Sequence, residues 1–570
     1  MSIVKTIAAK LTKLPQNSRR ASALRATVIG VVAGLAALAL EFGAYFLSML
    51  RVNASSVYPA WLVLPGFGLL GGLTAGFLVQ KFSPTAYGSG IPQVRAYLLG
   101  AKLPLNMRLA MVKLIGGSIA LGSGLFMGRE GPTVHVGAAI AASLNKWFPT
   151  NKEREKQLIA AGAGAGLAAA FNAPIAGVLF VAEELLKDVS TDTIGTAILA
   201  CFVASTMTHI LNAPHMESSH QIQAMGLKFT WHDMLFWVIL GALSGILGTL
   251  FNRGVILFLR FNRDYFKMPV FLKVGLAGLL SGAIIAMIPA DAHFRDYAAL
   301  RDLTVAGSEH WYMVPCAFIA FFFLTLLAYG SGAPGGLFAP AIVLGSALGA
   351  MVAYLEYYLF QVGSTETMAM VGMGAFFAAV ARVPITAVVI VTEMTRHYDL
   401  VPPLMVACAT ACFVGAKIEA GSVYDMLREY SGLDQEIKRI KEEESGIRAK
   451  DLLKPASVSL KSNSSSPEII QMLKELSNEG IPVFENGNFL GLLELSSLLK
   501  RIDLSLPEKI EISEFLSPSS TVLKPESTLP EIREAFEKTN LATLAVVENE
   551  EFLGLIHRSD IDLNSRLMTA

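Results

Sequence analysis

GlySerGlyAlaProGlyGlyLeuPheAlaPro occupies residues 330–340, and two shorter pieces of the same kind precede it, GlySerGlyIlePro at 88–92 and GlyArgGluGlyPro at 128–132. Glycine lets the backbone turn its N–H groups toward one point, and proline fits the first helical turn, where an N–H lacks an intrahelical partner anyway. Such helix starts attract small anions through free N–H groups and the helix dipole. Each piece alone is also typical of a tight helix junction, but three together favour an anion site.

The sequence around these pieces is too apolar for one soluble core. Of its 570 residues, 53% are hydrophobic and only 16% are charged, and the mean hydropathy is +0.51. Charge-free stretches such as 26–40, 58–79, 235–251 and 315–329 recur over 24–430, and a helical membrane span needs about 20 apolar residues. Many apolar pieces are interrupted by Gly or Pro, which is tolerated at membrane depth where the broken backbone lines an enclosed cavity. This pattern is typical of a transporter or pore.

An internal repeat divides this apolar part into two related halves, near 24–215 and 228–430. A substrate site at the interface between such halves is common in transporters. The sequence leaves open whether the halves are inverted. The matching pairs, at a constant offset of 210, include Gly162/Gly372, Pro174/Pro384 and Glu183/Glu393.

The last 130 residues differ in composition, because 441–570 hold 36 of the 92 charged residues. A charged linker at 434–447 leads into a second repeat with an offset of 63, which predicts two copies at 448–508 and 509–570. We expect each copy to contain a short strand, a helix and a hairpin with Glu-Asn at its turn. The matching pairs include Pro455/Pro518, Pro467/Pro530, Glu485/Glu548 and Asn486/Asn549.

Composition also excludes several classes of function. The net charge is zero and no long basic stretch occurs, which argues against nucleic acid as a partner. The absence of a GxxxxGK[ST] motif argues against ATP-driven pumping, and we expect no enzymatic activity. The basic segment 1–23 has no cleavage site after it, so we expect a cytoplasmic N-terminus. The cysteines have no spacing typical of a disulfide framework or metal site, and none is expected: Cys201, Cys316, Cys408 and Cys412.

The three glycine-rich pieces resemble, almost letter for letter, the anion-selectivity motifs of the CLC family of chloride channels and proton-coupled chloride transporters. The resemblance continues in Phe171-Asn172-Ala173-Pro174, in Glu183-Glu184 and at Tyr424. It implies an all-α polytopic membrane domain over 24–433, with two related halves and broken helices. The 63-residue repeat is similar to a cytoplasmic α/β CBS pair. The resemblance also implies a homodimer, and we expect a bacterial inner membrane with both termini cytoplasmic.

The same resemblance implies which residues bind the anion. Ser89 and Tyr424 would offer hydroxyl groups, and Leu337 and Phe338 would offer backbone N–H groups; a neutral donor holds chloride without trapping it. Ser89 also implies chloride, since nitrate-preferring members tend to have Pro there. The alternatives are a helix cap for Ser89 and an interfacial aromatic for Tyr424. The implied anion-binding set is Ser89, Gly90, Ile91, Arg129, Gly131, Leu337, Phe338 and Tyr424, and the remaining motif residues are Gly88, Pro92, Gly128, Pro132, Gly336, Ala339 and Pro340.

Glu130 is the predicted gate. A carboxylate between a motif arginine and glycine in an apolar region is costly unless it is protonated, paired or functional. When ionised, it would imitate the anion at a helix N-terminus and close the pathway, and when protonated it would swing away. The alternative is a structural salt bridge to Arg129.

Glu184 is the predicted internal proton-transfer residue, a role implied by the resemblance, in which exchangers have Glu and many channels an apolar residue. Glu183 recurs as Glu393 in the second half, whereas Glu184 aligns with Met394. A feature confined to one half is typical of specialisation, so we predict a structural role for Glu183. The alternative for Glu184 is a solvated helix end beside Lys187.

These residues predict a proton-coupled chloride antiporter, with a passive chloride channel as the alternative. An anion-regulated sensor with the CBS pair as output is disfavoured by the intact pore motifs. No cofactor is expected. The resemblance places a nucleotide-binding carboxylate at Asp560, which can accept two ribose hydroxyl groups, whereas the first copy has Ser497 there. Structural packing of the CBS pair is an equal alternative to adenine-nucleotide binding.

Overall fold

The computed structural model divides the chain into two units, Met1–Asp434 and Gln435–Ala570. Each unit has its own hydrophobic core. The residues that it describes are 19–187, 190–211, 231–287, 313–361, 363–456, 458–462, 464, 480–493, 516, 522–539, 541–549 and 551–558.

Helices dominate the first unit. Eight of those within the described residues are long and apolar enough to cross a membrane. Others are only seven or eight residues long, because glycine and proline interrupt the apolar segments. The helices are α1 (Arg19–Val57), α2 (Ala60–Phe82), α3 (Ile91–Leu98), α4 (Met107–Gly122), α5 (Glu130–Trp147), α6 (Lys152–Phe171), α7 (Pro174–Phe180), α8 (Thr191–Ile210), α9 (Trp231–Tyr265), α10 (Val270–Met287), α11 (Met313–Gly330), α12 (Phe338–Phe360), α13 (Thr365–Ala381), α14 (Pro384–Thr395), α15 (Val401–Ile418), α16 (Val423–Tyr430) and α17 (Leu433–Gly446).

The repeated prolines begin equivalent helices, α7 in the first half and α14 in the second. The carboxylate of Glu183, beyond the end of α7, accepts hydrogen bonds from the backbone N–H groups of Ile385 (3.2 Å) and Thr386 (2.8 Å) in α14. In return, Glu393 near the end of α14 accepts from Ile175 (3.1 Å) and Ala176 (2.8 Å) in α7. Since the C-terminal part of each helix meets the N-terminus of the other, the two helices are antiparallel. This resolves, for this pair, the orientation that the sequence left open.

The second unit is α/β, as predicted. Strand β1 (Leu460–Lys461) pairs in parallel with β2 (Ile481–Glu485), and β2 pairs antiparallel with β3 (Asn488–Leu493). Helix α18 (Leu529–Thr539) precedes the antiparallel hairpin of β4 (Thr543–Glu548) and β5 (Glu551–His557). The helix expected in the first copy lies outside the described residues.

The two predicted hairpins are confirmed, and they share one geometry. Asn486 and Asn549 have a left-handed backbone at the turns, with φ of 50° each. Asparagine tolerates this conformation better than most residues. Both hairpins have a bulge at the same place, after Val483 opposite Gly491 in one and after Val546 opposite Gly554 in the other. The equivalence matches the 63-residue repeat.

Candidate anion and proton site

The three glycine-rich pieces meet in space through backbone hydrogen bonds. Gly128 and Gly336 exchange two such bonds, of 2.8 and 2.7 Å. Gly88 donates to the carbonyl of Ala333 and accepts from the N–H of Gly335, both at 3.1 Å. The long piece at 330–340 therefore joins the other two, and the helices that follow them, α3, α5 and α12, begin around one region.

These pieces pack so closely that some of their glycines leave no room for a side chain. A Cβ atom at Gly131 would lie 2.8 Å from Cβ of Ser89 and 3.0 Å from Cα of Gly336. Gly90 has φ of 91° and caps α3, whose first two residues are Ile91 and Pro92. Glycine is therefore required at Gly131 because of close contacts and at Gly90 because of the backbone conformation.

Ser89 is buried where α3 begins, with 1% of its surface exposed. Its Oγ accepts a 3.4 Å hydrogen bond from the N–H of Ile91, whereas Gly90 and not Ser89 occupies the cap position of α3. A hydroxyl group that accepts one hydrogen bond can still donate another, so this contact and anion binding are compatible. The backbone N–H of Ser89 donates to the hydroxyl oxygen of Tyr329 at 3.4 Å.

An aromatic cluster surrounds the start of α12. Leu337 caps this helix and Phe338 is its first residue, so the first N–H groups have no intrahelical acceptor. The ring of Phe338 stacks on that of Tyr424 with centroids 6.1 Å apart. Tyr424 is 1% exposed at the start of α16. Its burial in the protein interior disfavours the interfacial alternative.

Glu130 is the first residue of α5 and is 4% exposed. Its carboxyl group lies against the backbone N–H of Ala339 in the first turn of α12. Among the described residues, its Oε2 atom has no hydrogen-bond partner. A carboxylate thus lies where the open helix N-terminus favours an anion.

The alternative for Glu130, a structural salt bridge to Arg129, is not formed among the described residues. The guanidinium of Arg129 pairs instead with Glu41 on α1 and donates to the carbonyl of Ala170 at 2.9 Å. The side chain therefore braces α5 against α1 and α6. Its predicted contribution to anion binding remains a prediction.

Glu184 lies in a π-helical turn, Val181–Leu186, that continues α7. Only 3% of its side chain is exposed, and Oε1 accepts a 2.8 Å hydrogen bond from Nη1 of Arg95 on α3. It is therefore not the solvated helix end that was the alternative. The buried ion pair was not predicted from the sequence.

Sequence reasoning also missed Lys113 and Tyr329. The ammonium of Lys113 on α4 is fully buried and donates to the carbonyls of Ala86 (2.8 Å), Tyr87 (3.4 Å) and Gly88. A lone lysine in an apolar helix is a signal that was available, because such a charge is costly without partners. Tyr329 directly precedes the long glycine-rich piece, and its position in the chain was the only signal.

The predicted nucleotide site cannot be placed in the same way. Asp560 and its counterpart Ser497 both lie outside the described residues. No group of three or more potential metal-ligand side chains occurs in the part of the chain that the structure describes.

Comparisons with known proteins identify the family of the chain. A family model for voltage gated chloride channels matches residues 71–416, and a CBS domain model matches 512–563. The chain is 33% identical to the H(+)/Cl(-) exchange transporter ClcA of Vibrio parahaemolyticus, over 71% of this chain and 88% of that protein. It is 36% identical to ClcA of Citrobacter koseri, over 69% of this chain and 86% of that protein.

Solved structures show the same fold. A slow cyanobacterial Cl−/H+ antiporter matches with a TM-score of 0.65 and 31% identity, over 72% of this chain and 97% of that one. A eukaryotic CLC transporter matches with a TM-score of 0.63 and 23% identity, over 95% of this chain and 97% of that one, which supports the fold alone. The chain therefore belongs to the voltage gated chloride channel (CLC) family and carries a C-terminal CBS domain.

Proposed function

We propose that this protein exchanges chloride for protons across a membrane. The observation that carries the proposal is the buried carboxyl group of Glu130 against the N–H of Ala339, where the three glycine-rich pieces meet. An ionised carboxylate and a chloride ion compete for the same helix N-terminus, whereas a neutral carboxylic acid does not. Proton uptake at Glu130 therefore opens the position to chloride. The relatives named H(+)/Cl(-) exchange transporter support this assignment.

Chloride passes, in this proposal, between the hydroxyl groups of Ser89 and Tyr424 and the N–H groups of Leu337 and Phe338. Protons reach Glu130 from the cytoplasm through Glu184. The two paths share only the region of Glu130. The same proposal includes a homodimer in a bacterial inner membrane, with both termini in the cytoplasm.

A passive chloride channel is the second candidate, and one observation favours it. Glu184 is held in an ion pair with Arg95, which favours the carboxylate, although burial of the same group favours the neutral acid. A residue that never takes up a proton would leave chloride to move alone.

The experiment that separates the two ions uses Glu184→Gln, which keeps the size of the side chain but carries no proton. In purified protein reconstituted into liposomes, we expect proton transport to be lost and chloride flux to be retained. Glu183→Gln is the matched control, because its carboxylate caps α14, and we expect it to lower the folding yield but keep coupling. Coupling that survives in Glu184→Gln and is lost in Glu183→Gln would exchange the two roles.

We assign the domain bounds as 24–433 for the membrane part, 434–447 for the linker, and 448–508 and 509–570 for two CBS copies. The shared hairpin geometry supports the assignment of the first copy. Nucleotide binding at Asp560 stays a prediction, with structural packing as the equal alternative.

A further inference from the structure

Arg95 joins three elements that the proposed function uses separately. It lies on α3, which begins next to Ser89, and it is 6% exposed. Its Nη1 atom is 2.8 Å from Oε1 of Glu184 and 2.9 Å from Oδ1 of Asp425. Asp425 directly follows Tyr424 on α16. One buried cation therefore connects the predicted proton residue to α3, which begins next to Ser89, and to α16, which carries Tyr424.

The carboxylate of Asp425 has further roles in α16. Its Oδ2 atom accepts from the N–H and from the hydroxyl group of Ser422, both at 3.1 Å, in a capping box. Arg428 lies 3.4 Å from Oδ1 and also pairs with Asp434. A change in the force that Arg95 exerts on Asp425 therefore acts on the N-terminus of α16, where Tyr424 is located.

The charged groups around Glu184 determine which interactions change when Glu184 takes up a proton. Arg95 faces it from α3, Asp425 and the Tyr424 hydroxyl face it from α16, and Lys187 follows on its own segment. Arg95 is shared between two carboxylates in a site with little solvent, where removal of one partner changes the balance strongly. If Glu184 becomes neutral, Arg95 interacts more strongly with Asp425.

We propose that Arg95 is a positioning residue that transmits the charge of Glu184 to the separation of α3 and α16. This inference rests on the proposed function, because it takes Ser89 and Tyr424 as the chloride donors. With Glu184 ionised, Arg95 divides its charge interaction between the two carboxylates. With Glu184 neutral, Arg95 pairs with Asp425 alone and holds α3 and α16 together more strongly. Chloride is then held more tightly between Ser89 and Tyr424 while the proton is loaded, which limits chloride movement without a proton.

The test is a double-mutant cycle on chloride affinity, measured by isothermal titration calorimetry of the purified full-length protein. Glu184→Gln imitates the neutral state, and Asp425→Asn keeps a side-chain acceptor for Ser422 but removes the charge that attracts Arg95. We expect Glu184→Gln to tighten chloride binding in the wild-type background. We expect that gain to shrink by about fivefold or more in the Asp425→Asn background, the lower range of measured couplings between sites. An equal gain in both backgrounds overturns the linkage.

Two further variants protect the test. Arg95→Gln keeps a long polar side chain but removes the positive charge that both carboxylates contact, so it should also reduce the coupling. If Asp425→Asn does not fold, the Arg95 variant takes its place in the cycle. An undiminished gain in chloride affinity from Glu184→Gln in that background then overturns the proposal. Arg428→Gln is the matched control, because it removes the other cation beside Asp425 and leaves Arg95 in place, so the coupling should persist. Loss of coupling in Arg428→Gln would assign the effect to Asp425 capping and overturn the role of Arg95.

Flux measurements distinguish the failure of this inference from failure of the exchange mechanism. If wild-type protein moves chloride without protons, the exchange proposal fails, whatever the cycle shows. If exchange is intact and the cycle is additive, only the Arg95 linkage is wrong.

Discussion

At the scale of single residues, the site depends on carboxyl groups that lie where an anion would lie. Glu130 shows this most clearly, because its carboxyl group meets the N–H of Ala339 while its Oε2 atom lacks a partner among the described residues. A side chain in this position has two stable situations, ionised at the helix N-terminus or neutral and released from it. In the proposed exchange, its charge decides whether chloride can enter.

Glu130→Gln is expected to abolish proton transport and to keep chloride flux, because an amide can neither titrate nor compete as an anion. The chloride flux of the variant should also lose most of its pH dependence. Parallel proton and chloride flux measurements in liposomes check both results. Glu153→Gln, on the exposed start of α6, is the control and should behave as wild type. Uphill proton transport retained in Glu130→Gln would place the gate elsewhere.

Ser89→Pro is expected to shift the anion preference from chloride toward nitrate. The change removes a hydroxyl donor, whose contribution is greatest for a compact anion, and it also removes the N–H that donates to Tyr329. Competition between the two anions in flux measurements checks the shift. Ser331→Ala is the matched control, because that hydroxyl already donates to the carbonyl of Ala328 at 2.7 Å. An unchanged preference in Ser89→Pro would leave Ser89 with only its hydrogen bond to the start of α3.

At the scale of elements, the two halves stabilise each other through reciprocal helix caps. Glu183 binds the N-terminus of α14 and Glu393 binds that of α7, so a repeated glutamate serves the opposite half in each case. Backbone N–H groups at a helix start otherwise need another acceptor. The repeat in the sequence therefore has a structural cause.

Glu183→Gln and Glu393→Gln should each destabilise the protein, by about 1–3 kcal/mol, because each loses a charge-assisted cap. The expected result is a lower midpoint of thermal unfolding in detergent for both variants, with Glu183→Gln the larger effect, since Glu183 also accepts from the hydroxyl group of Thr386 at 2.6 Å. Glu366→Gln in the first turn of α13 gives the comparison. If both cap variants unfold at the same midpoint temperature as the wild-type protein, these caps do not stabilise the structure.

Local sequence predicted these elements well where the backbone itself requires a residue type. Gly90 at φ of 91° and the prolines that begin α7 and α14 marked the broken helices, and Asn486 marked a hairpin. The ion pairs were not predictable in this way. Arg129 forms an ion pair with Glu41 and not with its neighbour Glu130, because the fold places α1 beside the start of α5. Such pairs connect residues far apart in the chain, and a single sequence holds no signal for them.

At the scale of the whole molecule, two glycine-rich helix starts from the first half and one from the second build a single site. The backbone bonds between Gly128 and Gly336 join the halves directly at this point. Ser89, Glu130 and Tyr424 are all buried, and in the proposed exchange this burial strengthens the competition between carboxylate and chloride for the same N–H groups. In the proposed exchange, this site couples two ions without any covalent chemistry.

The measurement that tests this coupling most directly uses the wild-type protein in sealed liposomes with an imposed chloride gradient and a pH-sensitive dye. Exchange predicts that chloride moving down its gradient drives protons against theirs in the opposite direction, and that the proton movement stops when chloride is replaced by an impermeant anion. Chloride flux with no accompanying proton movement would contradict the account and identify the protein as a passive channel.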